Sequence, residues 1–207
     1  GAYKDFDGSS AILKVNEVGR VFLLTGEPDI GQGSRTVLAQ IAAEKLGIPI
    51  SNIEVSPVDT DVTPRCLGAY ASRVTTLGGH AVLLAAQKVQ EKILSHAAEQ
   101  LECAPEDLAC SDGNIFLKSS PALKTSFADT VRNMVIASGG KPVVGEGNFV
   151  TPEDIVIPDE TRYGHATMSY AFAAHVAEVS VDTETGRVII ENMTAVHDSG
   201  KIINPLT

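Results

Sequence analysis

The sequence predicts an α+β fold, with helices packed on mixed and antiparallel sheets. Three patterns carry that expectation. Ser10 to Asn16 and Arg20 to Gly26 alternate around Val18-Gly19, as two strands joined by a tight turn do. Ala174 to Asp182 and Arg187 to Ala195 repeat the arrangement across Thr183-Glu184-Thr185-Gly186. Between them lie long helical periodicities, without the strict strand–helix alternation of a doubly wound sheet.

The elements follow in order. Val21, Leu23 and Thr25 alternate with Phe22, Leu24 and Gly26, which suits a well-buried second strand. The turn Gly31-Gln32-Gly33 comes next, then a helix to about Leu46. In that helix Val37, Leu38, Ile41, Ala42 and Leu46 fall at helical spacing, and Gly47 with Pro49 closes it. Asn52 to Pro57 reads as a short strand ahead of a loop from Asp59 to Gly68. A second helix is expected from near Thr75 to Glu102, with Val82, Ala86, Val89, Ile93 and Ala97 on one apolar face. Gly78-Gly79 near its start costs about 1 kcal/mol each relative to Ala, which marks a close approach by a ligand or by a packed neighbour.

Short strands near Leu108-Ala109-Cys110 and Asn114 to Lys118 flank the turn Ser111-Asp112-Gly113. A third helix is expected from Phe127 to Ser138, with Val131, Met134 and Val135 inward and Gly139-Gly140 as its stop. Gly145 to Gly164, with Pro152 and Pro158, reads as an irregular excursion before the last hairpin. The whole of 1–207 then belongs to one domain, with lobes expected at 1–120 and 121–207.

Composition narrows the function. The chain has 207 residues, 43% hydrophobic and 20% charged, which is enough to bury a sizeable core. Its net charge of −10, with no run of Lys or Arg, argues against nucleic acid as a partner. No apolar stretch approaches the roughly 18 to 20 residues of a membrane span. The three cysteines, Cys66, Cys103 and Cys110, show no Cys-x-x-Cys spacing, and free thiols in a reducing cytoplasm are the default.

Two segments carry the chemistry. The first is Asp29-Ile30-Gly31-Gln32-Gly33-Ser34-Arg35-Thr36, a glycine-flanked glutamine where a strand pattern becomes a helix pattern. Such a turn leaves backbone N–H groups at the positive end of a helix, where they can hold an oxyanion or phosphate. The second runs from Leu67-Gly68-Ala69-Tyr70-Ala71-Ser72-Arg73-Val74-Thr75 into the second helix. Its small side chains let a flat heterocycle or a phosphate lie on the backbone, and Ser72 offers a hydroxyl.

With these segments in this order, the chain resembles the molybdenum hydroxylases, the xanthine dehydrogenase and aldehyde oxidase family, in their molybdopterin-binding large subunit. Ala174-His175-Val176-Ala177-Glu178-Val179 and His197-Asp198-Ser199-Gly200-Lys201-Ile202-Ile203-Asn204-Pro205 continue the likeness, which spans the chain from about Ser10 onward. Gly68 to Thr75 and Glu178 to Gly186 look most like the branch that contains the 4-hydroxybenzoyl-CoA reductase alpha subunit.

The resemblance implies a fold, a cofactor and an activity. The fold is part of the aldehyde oxidase/xanthine dehydrogenase molybdopterin-binding domain. The cofactor is a molybdenum–pyranopterin, including its cytosine dinucleotide form, with the metal held by the pterin dithiolene and no protein metal ligand. Cofactor contacts fall on Gly31, Gln32, Gly33, Ala71, Ser72, Arg73, Val74, Thr75 and His80, with Ala71 beside metal and substrate. The activity implied is oxygen insertion from water at a carbon atom, or its reductive reverse, on an aromatic, N-heterocyclic, aldehyde or aryl-CoA substrate. Iron–sulfur centres and FAD on partner subunits or domains would carry the electrons.

The family's catalytic glutamate lies in a Gly-Glu-Pro context beyond this segment. Gly26-Glu27-Pro28 imitates it but precedes the Gly-Gln-Gly turn, so no catalytic residue is assigned here. The chain lacks an initial Met and stops where the family continues. It therefore reads as a segment of a subunit several times longer, inactive and without bound cofactor when alone, whose remainder is its first partner.

Several residues stay open on sequence alone. Arg73 can pair with a phosphate or with a core carboxylate. His80 is read as a satisfied structural histidine before a contact to cofactor phosphates. His175 and His197 are read as strand-end polar residues before a His197-Asp198 catalytic pairing, Glu178 as solvated, and Cys66 as structural. A phosphate- or nucleotide-binding module built on the first turn, without a P-loop lysine, is a second reading, and a noncatalytic assembly domain a third.

Overall fold

In the computed structural model, which describes residues 7–153, 155, 163–164 and 167–206, the first alternating pair closes as a hairpin. Strands β1 (Gly8–Val15) and β2 (Val21–Thr25) pair antiparallel, with Val15 opposite Val21. Asn16 fixes the turn by accepting from the Gly19 and Arg20 amides. Helix α1 (Ser34–Leu46) follows, and β3 (Ile53–Val55) then adds to β2 in parallel. The alternation decides which faces are buried: Ala11, Leu13, Val15, Val21 and Leu23 are all buried.

The second helical pattern begins with a π-helical turn, Val74–Gly78, and runs on as α2 (Gly79–Leu101). Val82, Ala86, Val89, Ile93 and Ala97 are buried together, as their spacing requires. The meander β4 (Leu108–Ser111), β5 (Asn114–Leu117) and β6 (Ser120–Ser126) comes next. Strand β6 departs from expectation: its Ser, Pro and Lys content hides a strand whose first five residues are exposed and which therefore needs no apolar face. Helix α3 (Phe127–Ala137) is capped by the Ser126 hydroxyl, which accepts from the Asp129 amide at 3.0 Å.

A larger correction concerns β7 (Val143–Val150), whose last six residues open the stretch from Gly145 that was expected to be irregular. It pairs antiparallel with β1 over eight residues and completes the sheet order β3-β2-β1-β7. Its glycines are not breakers. Helix α2 crosses this strand so closely that a Cβ on Gly147 would sit 2.0 Å from the Ala81 carbonyl oxygen, and one on Gly145 2.4 Å from that of Ala85. The core lies between this sheet and α2, with α1 and α3 packed on α2. Pro158 and the neighbouring 156–162 lie outside the described residues.

Contacts divide the chain into Gly1–Pro152 and Glu153–Thr207, where sequence suggested lobes at 1–120 and 121–207. The meander and α3 belong to the first unit because β7 returns to β1 after them. In the second unit β8 (Phe172–Val181) and β9 (Val188–Asp198) form the expected hairpin. An irregularity at Glu178/Val179 leaves Glu191 outside the pairing register, so Val179, Val181, Ile190 and Val188 share a face with Ala177 and Met193. The side chains of that face are largely exposed.

Candidate functional site

The first turn grows out of the end of β2. Asp29 accepts from the Gly31 amide at 2.9 Å and from the Arg35 amide at 3.3 Å. These bonds, the Gly31 one foremost, hold its carboxyl below the ordinary aspartate value. Gln32 bonds within its own turn, its Oε1 accepting from Ile30 at 2.7 Å and its Nε2 donating to the Pro28 carbonyl at 2.9 Å. Gly31 (φ 105°) and Gly33 (φ 78°) adopt left-handed backbone, and a Cβ on either would meet nothing within 4 Å. No protein atom explains these two glycines except the turn itself, and the space above them is open.

Asp29 weakens one sequence reading. The helix N-terminus that would attract a phosphate already carries a carboxylate on one of its donors, the Arg35 amide. A simple anion site on this turn would have to displace that charge.

The second loop is strained where the first is open. Ala71 (φ 49°) and Ser72 (φ 55°) stand consecutively in the left-handed region, which non-glycine residues occupy at a cost of roughly 1–2 kcal/mol each. Both are exposed, as are Thr75 and His80, whereas Val74 is buried. The His80 Nδ1 lies 2.5 Å from the Thr76 carbonyl, and its ring stacks on Phe149 at 4.4 Å. The structure therefore gives His80 partners within the protein.

Beneath both loops is a node that the sequence reading did not assemble. Glu27 is 1% exposed. Its carboxylate accepts from the Ser9 hydroxyl at 2.6 Å, the Cys66 thiol at 3.1 Å and the Arg73 guanidinium at 3.4 Å. Arg73, 5% exposed, also donates to the Gly8 carbonyl at 2.6 Å, the Gly68 carbonyl at 3.2 Å and Asp7 at 3.4 Å.

The charges are mutually supporting. Burial is the largest single effect and works to lower the Arg73 pKa, but Glu27, Cys66 and Asp7 together outweigh it and hold the guanidinium above its ordinary value. Burial foremost, then the Glu27 carboxylate against the pull of the Gly68 amide, pushes the Cys66 thiol up, so Cys66 is a hydrogen-bond donor here and no nucleophile.

The node answers two questions left open by sequence. The Arg73 side chain goes to the core carboxylate of Glu27 and to the part-exposed Asp7. Gly78 is small because a Cβ there would lie 2.8 Å from the Glu27 Cγ, so protein and not ligand makes the close approach. The signal was present in the sequence, since a buried Arg demands a carboxylate. What hid it was that Glu27 matched a different motif.

Elsewhere, His197 pairs with His175 (Nε2 to Nε2, 2.9 Å) and not with Asp198, which accepts from the Gly200 amide. The three cysteines are free thiols. Among the described residues no three His, Cys, Asp or Glu side chains gather as a metal-binding group, and no helix is long and apolar enough to cross a membrane.

Comparison with known proteins adds the following. The family model for the molybdopterin cofactor-binding domain matches residues 2–207. The 6-hydroxypseudooxynicotine dehydrogenase complex subunit gamma of Paenarthrobacter nicotinovorans is 32% identical over 195 residues, covering 94% of this chain and 23% of that one. The putative xanthine dehydrogenase molybdenum-binding subunit of Escherichia coli K12 is 32% identical over 199 residues, covering 96% and 25%. Among solved structures, quinoline 2-oxidoreductase from Pseudomonas putida 86 matches with a TM-score of 0.78 and 31% identity, over 96% of this chain and 24% of its own. The chain spans about a quarter of the length of these relatives.

Proposed function

Since the chain belongs to the molybdopterin cofactor-binding domain family, we propose that it forms one wall of the cofactor cleft in a molybdenum-dependent oxidoreductase. The observation that carries this reading is the pairing of two backbone-lined loops, the open Gly31-Gln32-Gly33 turn and the left-handed Ala71-Ser72 step, joined beneath by Glu27 and Arg73. Positive-φ backbone without overlying side chains fits a large flat group that must approach the main chain.

Gly31, Gln32, Gly33, Ala71, Ser72, Val74 and Thr75 would contact the pterin and its phosphates, with Arg73 contributing through its backbone and His80 at the margin. When bound, the molybdenum–pterin group supplies two-electron redox chemistry at a substrate carbon. The substrate is an aromatic, N-heterocyclic, aldehyde or aryl-CoA compound. The xanthine and quinoline in two relatives' names favour the heterocyclic member.

The remainder of the molybdenum subunit, and iron–sulfur and FAD subunits or domains, are the partners in this reading. The half-exposed apolar face of β8–β9 supports the first of them, because an isolated two-stranded hairpin is marginal in water and exposed apolar patches mark contact surfaces. Three free thiols favour the cytoplasm. An assembly domain that keeps only the fold is the alternative. A free phosphate module is less favoured, because Asp29 already places a negative charge on the Arg35 amide at the helix N-terminus.

Gln32→Ala in the intact subunit tests the reading. Its two hydrogen bonds are exposed, so the variant should lose no more than about 1 kcal/mol in a urea melt. Molybdenum and pterin content, or turnover, should fall severalfold. Full occupancy with full turnover would remove Gln32 from the cofactor site.

A further inference from the structure

Resting on the cofactor-cleft reading, we infer that Glu27 and Arg73 are positioning residues: their buried pair fixes the Ala71-Ser72 step in its left-handed form before any cofactor arrives. Three observations converge on this. Arg73 directly follows the two strained residues, and its guanidinium is tied to β1 at Gly8, to the loop itself at Gly68, and to Glu27. Glu27 in turn sits two residues before Asp29, where the first turn starts, so the residue that holds Arg73 is also the one from which the first turn departs. The space for it is built in, since Gly78 has no side chain against the Glu27 Cγ.

A loop held this way does not lose its freedom on binding, which is how preorganisation gains affinity. It also explains why an arginine, and not a lysine, suits the position. Its bonds leave in several fixed directions at once, and only a planar fork supplies them. A buried pair that served stability alone would need no such link to the strained residues.

Amide hydrogen exchange on the 207-residue chain separates the two roles. Glu27→Gln and Arg73→Gln each leave one buried charge with less than its full partnership, so both should lower the melting temperature. The double variant Glu27→Gln/Arg73→Gln removes that imbalance and should recover most of it. Positioning predicts that all three variants, the stable double included, exchange about tenfold faster at Gly68 to Val74 while α2 core amides keep their protection. Arg73→Lys should rescue the charge balance but not the loop protection.

A double variant with wild-type protection at these amides would overturn the proposal, as would losses spread evenly over loop and core. The same double variant in the intact subunit should lose molybdenum and pterin in proportion. A loosened loop with full cofactor content would instead overturn the cofactor-cleft reading and leave the mechanical link standing.

Discussion

A carboxylate with water around it, Asp29, ties the Gly31 amide of the first turn to the Arg35 amide at the start of α1 and sets the character of that turn. Its bonds to the Gly31 and Arg35 amides exist in full only while it is charged, and its pKa is lowered from the ordinary 3.8. A group depressed in the folded state stabilises above its unfolded pKa, and that contribution is lost as pH falls through the folded one. Asp29→Asn should therefore melt below wild type at neutral pH, and the gap should close as the pH drops below about 4. Melting temperatures taken from neutral to acid for both proteins are the check, and a gap that stays constant to the acid limit would assign the effect to something other than the charge. The residue scale also shows what sequence could and could not resolve. The turn that holds Gln32 and the loop that holds Ser72 were visible as motifs, because glycine and small residues announce backbone demands locally. The partner of Arg73 was not, because Glu27 reaches it through a tertiary contact that no spacing rule encodes.

Helix α2 and strand β7 show the same division one level up. The helix was legible from its apolar stripe, since a 3.6-residue period needs only local sequence to be seen. The strand was not, because its glycines are depleted in strands generally and act as breakers in most contexts. Here they serve a contact made some 60 residues away in sequence, where α2 presses onto the sheet with Ala81 and Ala85. A sheet that accepts a helix this closely has no room for a methyl group, so Gly147→Ala should overpack it. The expected cost is about 1–3 kcal/mol, set by how far α2 can shift. A urea melt of the variant reads this directly, and a loss below about 0.5 kcal/mol would mean that the helix–sheet spacing is softer than the contact implies. The left-handed loop before α2 depends on this spacing as well, because the π-helical turn carrying Gly78 packs on β1 and β7.

At the scale of the whole molecule, the two units differ in how much they bury. The first has a continuous core of aliphatic side chains from the sheet and α2. In the second, Val179, Val181, Val188, Ile190 and Met193 remain about half exposed or more along one hairpin face. Exposed apolar faces of that kind mark contact surfaces, and in the proposed reading the remainder of the molybdenum subunit would be the occupant. The two loops assigned to the cofactor in that reading share this incompleteness. In the proposed reading, the open space above Gly31 and Gly33 would be one wall of a site, whereas well-formed sites enclose about 70–90% of a ligand's surface. A group held by one wall keeps most of its hydration and gains little from burial, so preorganised loops alone would not retain it through purification. The 207-residue chain expressed by itself should therefore carry molybdenum and pterin far below one per chain, while the intact subunit, made with its partners, carries them in stoichiometric amount. Elemental analysis of both proteins, with oxidised pterin fluorescence as a second measure, distinguishes the cases. Stoichiometric metal in the isolated chain would mean that these two loops suffice, and that the cleft needs no opposite wall.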